Sequence, residues 1–400
     1  MRSTWNFFTA GQVTFGPGAV GQLGEIATRR RFGRVLIVTD PTLVELGIAE
    51  RVRQPLVDGK IAVEVFDGGE AEPSIAAALK SIERARDFQP DAILGLGGGS
   101  NMDLSKITAN VLTHGGSPHD YFGFDNVPGP VVPLICVPTT AGTGSEVSHA
   151  AVLTDTDHQM KVSTLSNWLR PTVALVDPEL TYSCPQQVTA DSGIDALTHA
   201  IEGYTAVDYR RLVTLAGVAP GYEGSYPLGD LIAEEAIRLI ADNLRTAVSE
   251  PDNQDARNNM ALAATLAGIA FSNCGVALVH ALEYPLGGIL HCSHGAGNGL
   301  LLPFVMRFNL PKRRVKFAKI AELLGQDVVD DAEMMAERAI TAVENLKRDI
   351  GIPERIRDIG GTEDQLRMFA EKAFELKRLL WVNPRKASLE DLFGILQAAF

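Results

Sequence analysis

The 400-residue chain is poor in cysteine, with four in all, and poor in aromatic residues, at 6%. Cys136, Cys184, Cys274 and Cys292 lack the paired spacing of a structural zinc site. A chain this long needs no disulfides to hold a core, so reduced thiols and a cytoplasmic location are expected. Positive charge is also short: 36 Lys and Arg against 49 Asp and Glu leave a net -13. That balance argues against nucleic acid and against an anionic membrane surface as partners. No run approaches the roughly 18 apolar residues of a membrane span. The opening stretch 1–18 carries one basic residue and no long apolar core, so it does not read as a signal peptide.

What is present suggests two domains, the usual outcome at this length. In the first half, short apolar runs alternate with helical patterns. "RVLIVTD" (34–40), "IAVEVFD" (61–67) and "DAILGLGG" (91–98) read as strands, and "SIAAALKSIERARDF" falls between two of them as a helix. "VPLICVPTT" and "TVALVDPEL" carry the rhythm to about residue 180, which implies a parallel sheet covered on both faces. Beyond "SCPQQVTADSG", long Ala- and Leu-rich periodic stretches take over, among them "LIAEEAIRLIADNLRTAV" and "NNMALAATLAGIAFSNCGVALVHALEY". The expected fold is an α/β Rossmann-like domain over 1–183, followed by an all-α domain over 184–400. "AGVAPGYEGSYPLGD" (216–230) reads as a long Gly/Pro-rich loop.

Two pairs of residues point to a metal. Asp195 and His199 in "GIDALTHAIEGY" stand four apart, so on a helix they share one face. His280 and His294 in "VHALEYPLGGILHCSHGAGNGL" flank a Pro-Leu-Gly-Gly sequence, where a helix break would swing the second back toward the first. Three neutral nitrogens and one carboxylate suit Fe(II), Zn(II) or another borderline divalent ion, not Ca(II). An aspartate in apolar surroundings also needs a pairing partner or a metal to tolerate burial.

A second constellation suits a nucleotide. Gly97, Gly98 and Gly99 end a strand and lead through Ser100 into a helix, and backbone amides at a helix start form a phosphate cradle. "VPTTAGTGSEVS" supplies Thr139, Thr140, Thr143 and Ser145 at another strand end. In an open parallel sheet, two such loops line one crevice. Asp40 closes "VLIVTD", where a carboxylate accepts from adenosine ribose hydroxyls and repels a 2'-phosphate, so NAD is expected over NADP.

Together these motifs resemble the iron-containing (group III) alcohol dehydrogenases, within the dehydroquinate synthase-like fold. The resemblance runs from "TFGPGAVGQLGEI" through "GGGSNMDLSK", "VPTTAGTGSEVS", "IDALTHAIEGY", "HALEYPLGG" and "HGAGNGLLLPFVMRFN" to "NPRKASLEDL". It implies that Asp195, His199, His280 and His294 ligate one metal, Fe(II) or Zn(II), beside the nicotinamide of NAD. It further implies that Asp103 positions the phosphate loop. The activity implied is hydride transfer between a metal-activated alcohol, diol or hydroxyacid and nicotinamide, with reverse reduction of aldehydes or ketones. A homodimer or larger homo-oligomer is expected from the apolar helices.

The chain departs from the family pattern at Tyr284, where many members carry a proton-relaying His. With Pro285 and the 216–230 loop, this resembles the hydroxyacid-oxoacid transhydrogenase branch, whose members keep NAD bound. Tyr284 and His291 are the two candidates for proton relay, His291 with a surface or supporting role as its alternative. A metal hydrolase and a dehydroquinate synthase-like lyase are the rival readings from other classes.

Overall fold

The structure is a computed structural model that describes residues 2–155, 160–212 and 221–400. The first part of the 216–230 loop therefore lies outside the described residues. The chain divides into two compact units, Phe8–Cys184 and Met1–Phe7 with Pro185–Phe400. Residues 2–7 thus pack with the helical unit, although sequence order places them before the α/β one. Trp5 stacks on Tyr226 at 4.5 Å between ring centroids, and Asn6 donates to Glu223 at 3.0 Å.

The α/β unit contains strands β1 (Val13–Phe15), β2 (Arg34–Val38), β3 (Ala62–Phe66), β4 (Ala92–Gly97), β5 (Gly123–Phe124), β6 (Leu134–Pro138), β7 (Ala150–Asp155), β8 (Met160–Leu165) and β9 (Val173–Val176). Its helices are α1 (Leu23–Arg29), α2 (Pro41–Glu45), α3 (Ile48–Asp58), α4 (Ile75–Phe88) and α5 (Gly99–His114). Six strands form a parallel sheet in the order β1-β9-β6-β4-β2-β3, and β5, β8 and β7 form a smaller one. The alternation within each strand explains both faces. Val35, Ile37, Leu94, Leu96, Ile135 and Val137 pack with Leu23, Ile26, Val52 and Leu56 of α1 and α3. Leu36, Val38, Ile93 and Leu134 pack with Ala78, Ile82, Leu104 and Ile107 of α4 and α5 on the other face.

β2, β4 and β6 are neighbours, so the residues that come after them emerge side by side at their carboxyl ends. Asp40, the 97–100 loop and the 139–145 loop are those residues. The strands read from the sequence do not include β1, β5, β7 or β8; β1 and β5 are only three and two residues long.

The other unit is helical: α6 (Gln186–Thr205), α7 (Pro227–Ser249), α8 (Gln254–Cys274), α9 (Leu278–Leu290), α10 (His294–Leu323), α11 (Ala332–Asp349), α12 (Leu366–Glu375), α13 (Lys377–Val382) and α14 (Leu389–Ala399). The stretch whose periodicity runs on through residue 284 breaks at Gly275 (φ 107), and α8 and α9 meet there at 106°. No single described helix is long and apolar enough to cross a membrane.

Candidate functional site

Three of the helical unit's elements, α6, α9 and α10, bring carboxylates and imidazoles together. On α6, Asp195, His199 and Glu202 occupy positions i, i+4 and i+7, one stripe of the helix. All three are buried. Helix α9 starts after the Gly275 break without a side-chain cap of its own. The Glu202 carboxylate takes that place: Oε2 accepts from Ala277 N at 2.8 Å and Oε1 from Val279 N at 2.6 Å. Oε2 also lies 2.7 Å from His280 Nδ1. A carboxylate at Nδ1 fixes the proton there and leaves Nε2 as a lone pair.

His294 opens α10, and Glu283 Oε2 lies 2.5 Å from its Nδ1. The Pro-Leu-Gly-Gly sequence does not break the helix, contrary to expectation. α9 runs through Pro285 to Leu290 and ends at His291, which adopts the left-handed conformation (φ 54). The reversal that returns His294 therefore lies at residues 291–293, and His291 is an exposed helix terminator.

Asp195, His280 and His294 offer ligand atoms all within 4.8 Å of one another. The Nδ2 of Asn298, one turn along α10 from His294, sits among them, 2.8 Å from Asp195 Oδ1 and 3.2 Å from each of His280 Nε2 and His294 Nε2. An amide nitrogen carries two hydrogens and so cannot satisfy three acceptors. Three lone pairs aimed at one point fit a cation better than they fit one another. Burial pushes the Asp195 carboxyl up, but His199, His294 and His280 together with the Asn298 hydrogen bond bring it below the ordinary carboxylate range. His199 adjoins the cluster: its ring stacks on Phe271 at 4.3 Å and on His280 at 4.9 Å, and its Nε2 is 3.8 Å from Asp195 Oδ1. The half-buried Tyr284 ring is 6.0 Å from the His294 ring.

In the α/β unit, Gly97 has φ +140 and Gly98 is the N-cap of α5. A Cβ on Gly99 would come within 3.1 Å of Thr143, and one on Gly98 within 3.8 Å of Thr140, so side chains here would fill the space between the two loops. Thr140 and Thr143 are partly accessible. Thr139 and Ser145 are buried instead. The Ser145 hydroxyl is committed inward, donating to Asp103 Oδ1 at 2.6 Å and accepting from Lys106 Nζ at 2.7 Å. Lys106 is itself fully buried and donates also to Ala150 O. Asp103 accepts further from Val152 N at 3.0 Å. Burial raises its carboxyl above the usual value despite the pull of Lys106. Asp103 thus anchors the 145–152 segment to α5. Ser100 donates to Ala71 O.

Asp40 is the N-cap of α2, accepting from Leu43 N at 3.1 Å through Oδ1, and its Oδ2 accepts from Asn101 Nδ2 at 2.7 Å. The sequence pattern alone does not mark Asn101, Lys106, Glu202, Glu283 or Asn298. For the two glutamates the available signal was an acidic residue on the apolar face of a helix, spaced i+3 from a histidine already singled out.

The profile of the iron-containing alcohol dehydrogenases matches residues 10–178, and that of the family's C-terminal part matches 222–400. The chain is 35% identical to the NAD-dependent methanol dehydrogenase of Bacillus methanolicus, covering 98% of this chain and 99% of that one. It is 38% identical to the 1,3-propanediol dehydrogenase of Klebsiella pneumoniae, covering 96% of each. The crystal structure of a 1,3-propanediol oxidoreductase superposes with a TM-score of 0.93 at 36% identity, over 100% of both chains. On the matched profiles and these likenesses over nearly its whole length, the chain belongs to the iron-containing alcohol dehydrogenase family.

Proposed function

We propose that Asp195, His199, His280 and His294 hold the divalent ion of this metal- and NAD-dependent oxidoreductase, with Fe(II) or Zn(II) in the site, and that it acts on a small primary alcohol, diol or hydroxyacid. The observation that carries this reading is the convergence of Asp195 Oδ1, His280 Nε2 and His294 Nε2 on one amide nitrogen with too few hydrogens. When bound, a divalent cation supplies Lewis acidity that lowers the pKa of an alcohol hydroxyl, and NAD accepts the hydride.

The chain's own residues do the rest. Asp195 keeps its charge in a buried site, which offsets the ion. Glu202 and Glu283 set the imidazole tautomers. The α5 N-terminus with Gly97–Gly99 receives the pyrophosphate, and Thr140 and Thr143 donate beside it. Asp40 accepts from the ribose hydroxyls, whereas Asp103, Ser145 and Lys106 hold the loop from behind. Tyr284 passes the alcohol proton toward solvent; His291, exposed in its helix-ending turn, is left with a surface role. The small substrates in the names of the methanol and 1,3-propanediol dehydrogenases support the substrate class. The family assignment disfavours the hydrolase and lyase readings.

A second reading is favoured by Tyr284-Pro285: a transhydrogenase that retains NAD and passes hydride from a hydroxyacid to an oxoacid. Four cysteines outside any disulfide favour a reducing, cytoplasmic compartment, and a homo-oligomer is part of the same proposal. A screen of alcohols, diols and hydroxyacids at 340 nm, with NAD or NADP, before and after chelation and metal return, tests the reading. NAD-linked, metal-restored oxidation supports it. Turnover only when hydroxyacid and oxoacid are supplied together supports the transhydrogenase, and activity untouched by full metal removal overturns the metal assignment.

A further inference from the structure

Glu283 is fully buried in the middle of an apolar helix turn, and its carboxylate is the partner of His294 Nδ1. A buried carboxylate costs several kcal/mol unless something holds it. The surrounding backbone is shaped to admit it. A Cβ on Gly287 would lie 2.2 Å from Glu283 Oε1, and one on Gly297 would lie 2.9 Å from Glu283 Cγ. Gly287 is on the same helix as Glu283, one turn on, and Gly297 is one turn into α10 from His294. Both have ordinary negative φ; space, not backbone conformation, is what calls for glycine at these two positions. His294 needs such support, because it is the first residue of its helix and 32% exposed, whereas His280 is buried and held by Glu202.

We propose that Glu283 is a positioning residue for the metal site, and that Gly287 and Gly297 are the clearance that admits its carboxylate beside His294. The carboxylate holds the His294 proton on Nδ1 and so keeps the Nε2 lone pair turned toward Asp195 and His280. This rests on the metal-site reading above. A carboxylate behind a ligating imidazole both orients the ring and raises its basicity, and losing one weakens metal affinity by about 10–100-fold.

The test is chelator-competition titration of the full chain with Zn(II), together with the visible spectrum of the Co(II)-loaded protein and the urea midpoint of the metal-free protein. Glu283→Ala should weaken Zn(II) binding about 10–100-fold and shift the Co(II) bands. Glu283→Gln, which keeps an acceptor at Nδ1 while losing the charge, should recover part of the affinity. Gly297→Ala should weaken binding as well. Adding it to Glu283→Ala should cost little more than Glu283→Ala alone, because both act through one contact. Lost stability in the metal-free variants with Zn(II) affinity and Co(II) bands unchanged would overturn the proposal and leave Glu283 a packing residue. If the wild type binds no Zn(II) or Co(II), or if His294→Ala leaves affinity unchanged, the metal-site reading itself fails.

Discussion

Replacing Glu202 by Gln removes one charge and almost no volume, and the hydrogen bonds around this side chain determine the consequence. Oε2 accepts two hydrogen bonds, from Ala277 N and His280 Nδ1, and Oε1 accepts one from Val279 N. A glutamine has one oxygen and one NH2 group. If its oxygen takes the Oε1 place, the amide hydrogens confront both Ala277 N–H and the His280 Nδ1 proton. The imidazole then gives up that proton and carries it on Nε2, where it cannot ligate. If the oxygen takes the Oε2 place, only Val279 N–H is opposed and the tautomer survives, so this orientation is preferred. The cost is the charge-assisted hydrogen bond from Val279 N, whose buried N–H is left without an acceptor, about 1–3 kcal/mol. Because the contact joins α6 to the start of α9, the loss should appear in the urea midpoint of metal-free Glu202→Gln. Metal affinity should fall too, within the 10–100-fold typical of such outer partners. A metal-free protein within about 0.5 kcal/mol of wild type and with unchanged Zn(II) affinity would mean that Glu202 neither caps α9 nor supports His280.

Three other perturbations have defined outcomes. Asp40→Gly should shift preference from NAD toward NADP, read as the ratio of kcat/KM values, each tenfold being about 1.4 kcal/mol; glycine is a tolerated N-cap, so the main stability cost should be the buried Asn101 amide left without its Asp40 acceptor, about 1–3 kcal/mol. Tyr284→Phe should lower turnover with metal content unchanged, and Tyr284→His should restore it with a rising limb near pH ~6.5; full activity and an unchanged profile in Tyr284→Phe would remove the phenol from proton transfer. Burial holds the Lys347 ammonium down, from an ordinary 10.5 to about 8. The unfolded chain binds the extra proton between those values, so this residue's contribution makes stability rise as pH climbs from about 8 to 10.5. Lys347→Met should therefore stabilise the protein at pH 7, by at most about 3 kcal/mol, and the gain should shrink above pH 8 in urea titrations; a gain independent of pH would count against it.

Much of this was legible in the chain because it depends on local spacing. The strands before Asp40, Gly97 and Thr139 are near-continuous apolar runs ending in turn residues, and the i, i+4 pair Asp195 and His199 shares a face wherever a helix forms. What escaped depends on contacts across long sequence separations. Glu202 acts on groups 75–78 residues away, and nothing local marks it as the cap of another helix. The Gly275 break lies inside a long Ala- and Leu-rich stretch, and the Pro-Leu-Gly-Gly sequence, which has the composition of a break, stays helical with Pro285, Leu286 and Gly287 buried. Ser145 has the chemistry of a phosphate contact, but its hydroxyl faces Asp103 and Lys106; only the fold decides which way a small side chain points.

The proposed metal site holds one divalent ion among Asp195, His199, His280 and His294. Metal analysis of anaerobically purified protein, with His280→Ala and His291→Ala in parallel, tests it most directly. The wild type and His291→Ala should each carry about one Fe or Zn per chain, from a site built to coordinate a single ion, and His280→Ala should lose it. Equal metal content in His280→Ala and wild type, or loss in His291→Ala alone, would contradict it.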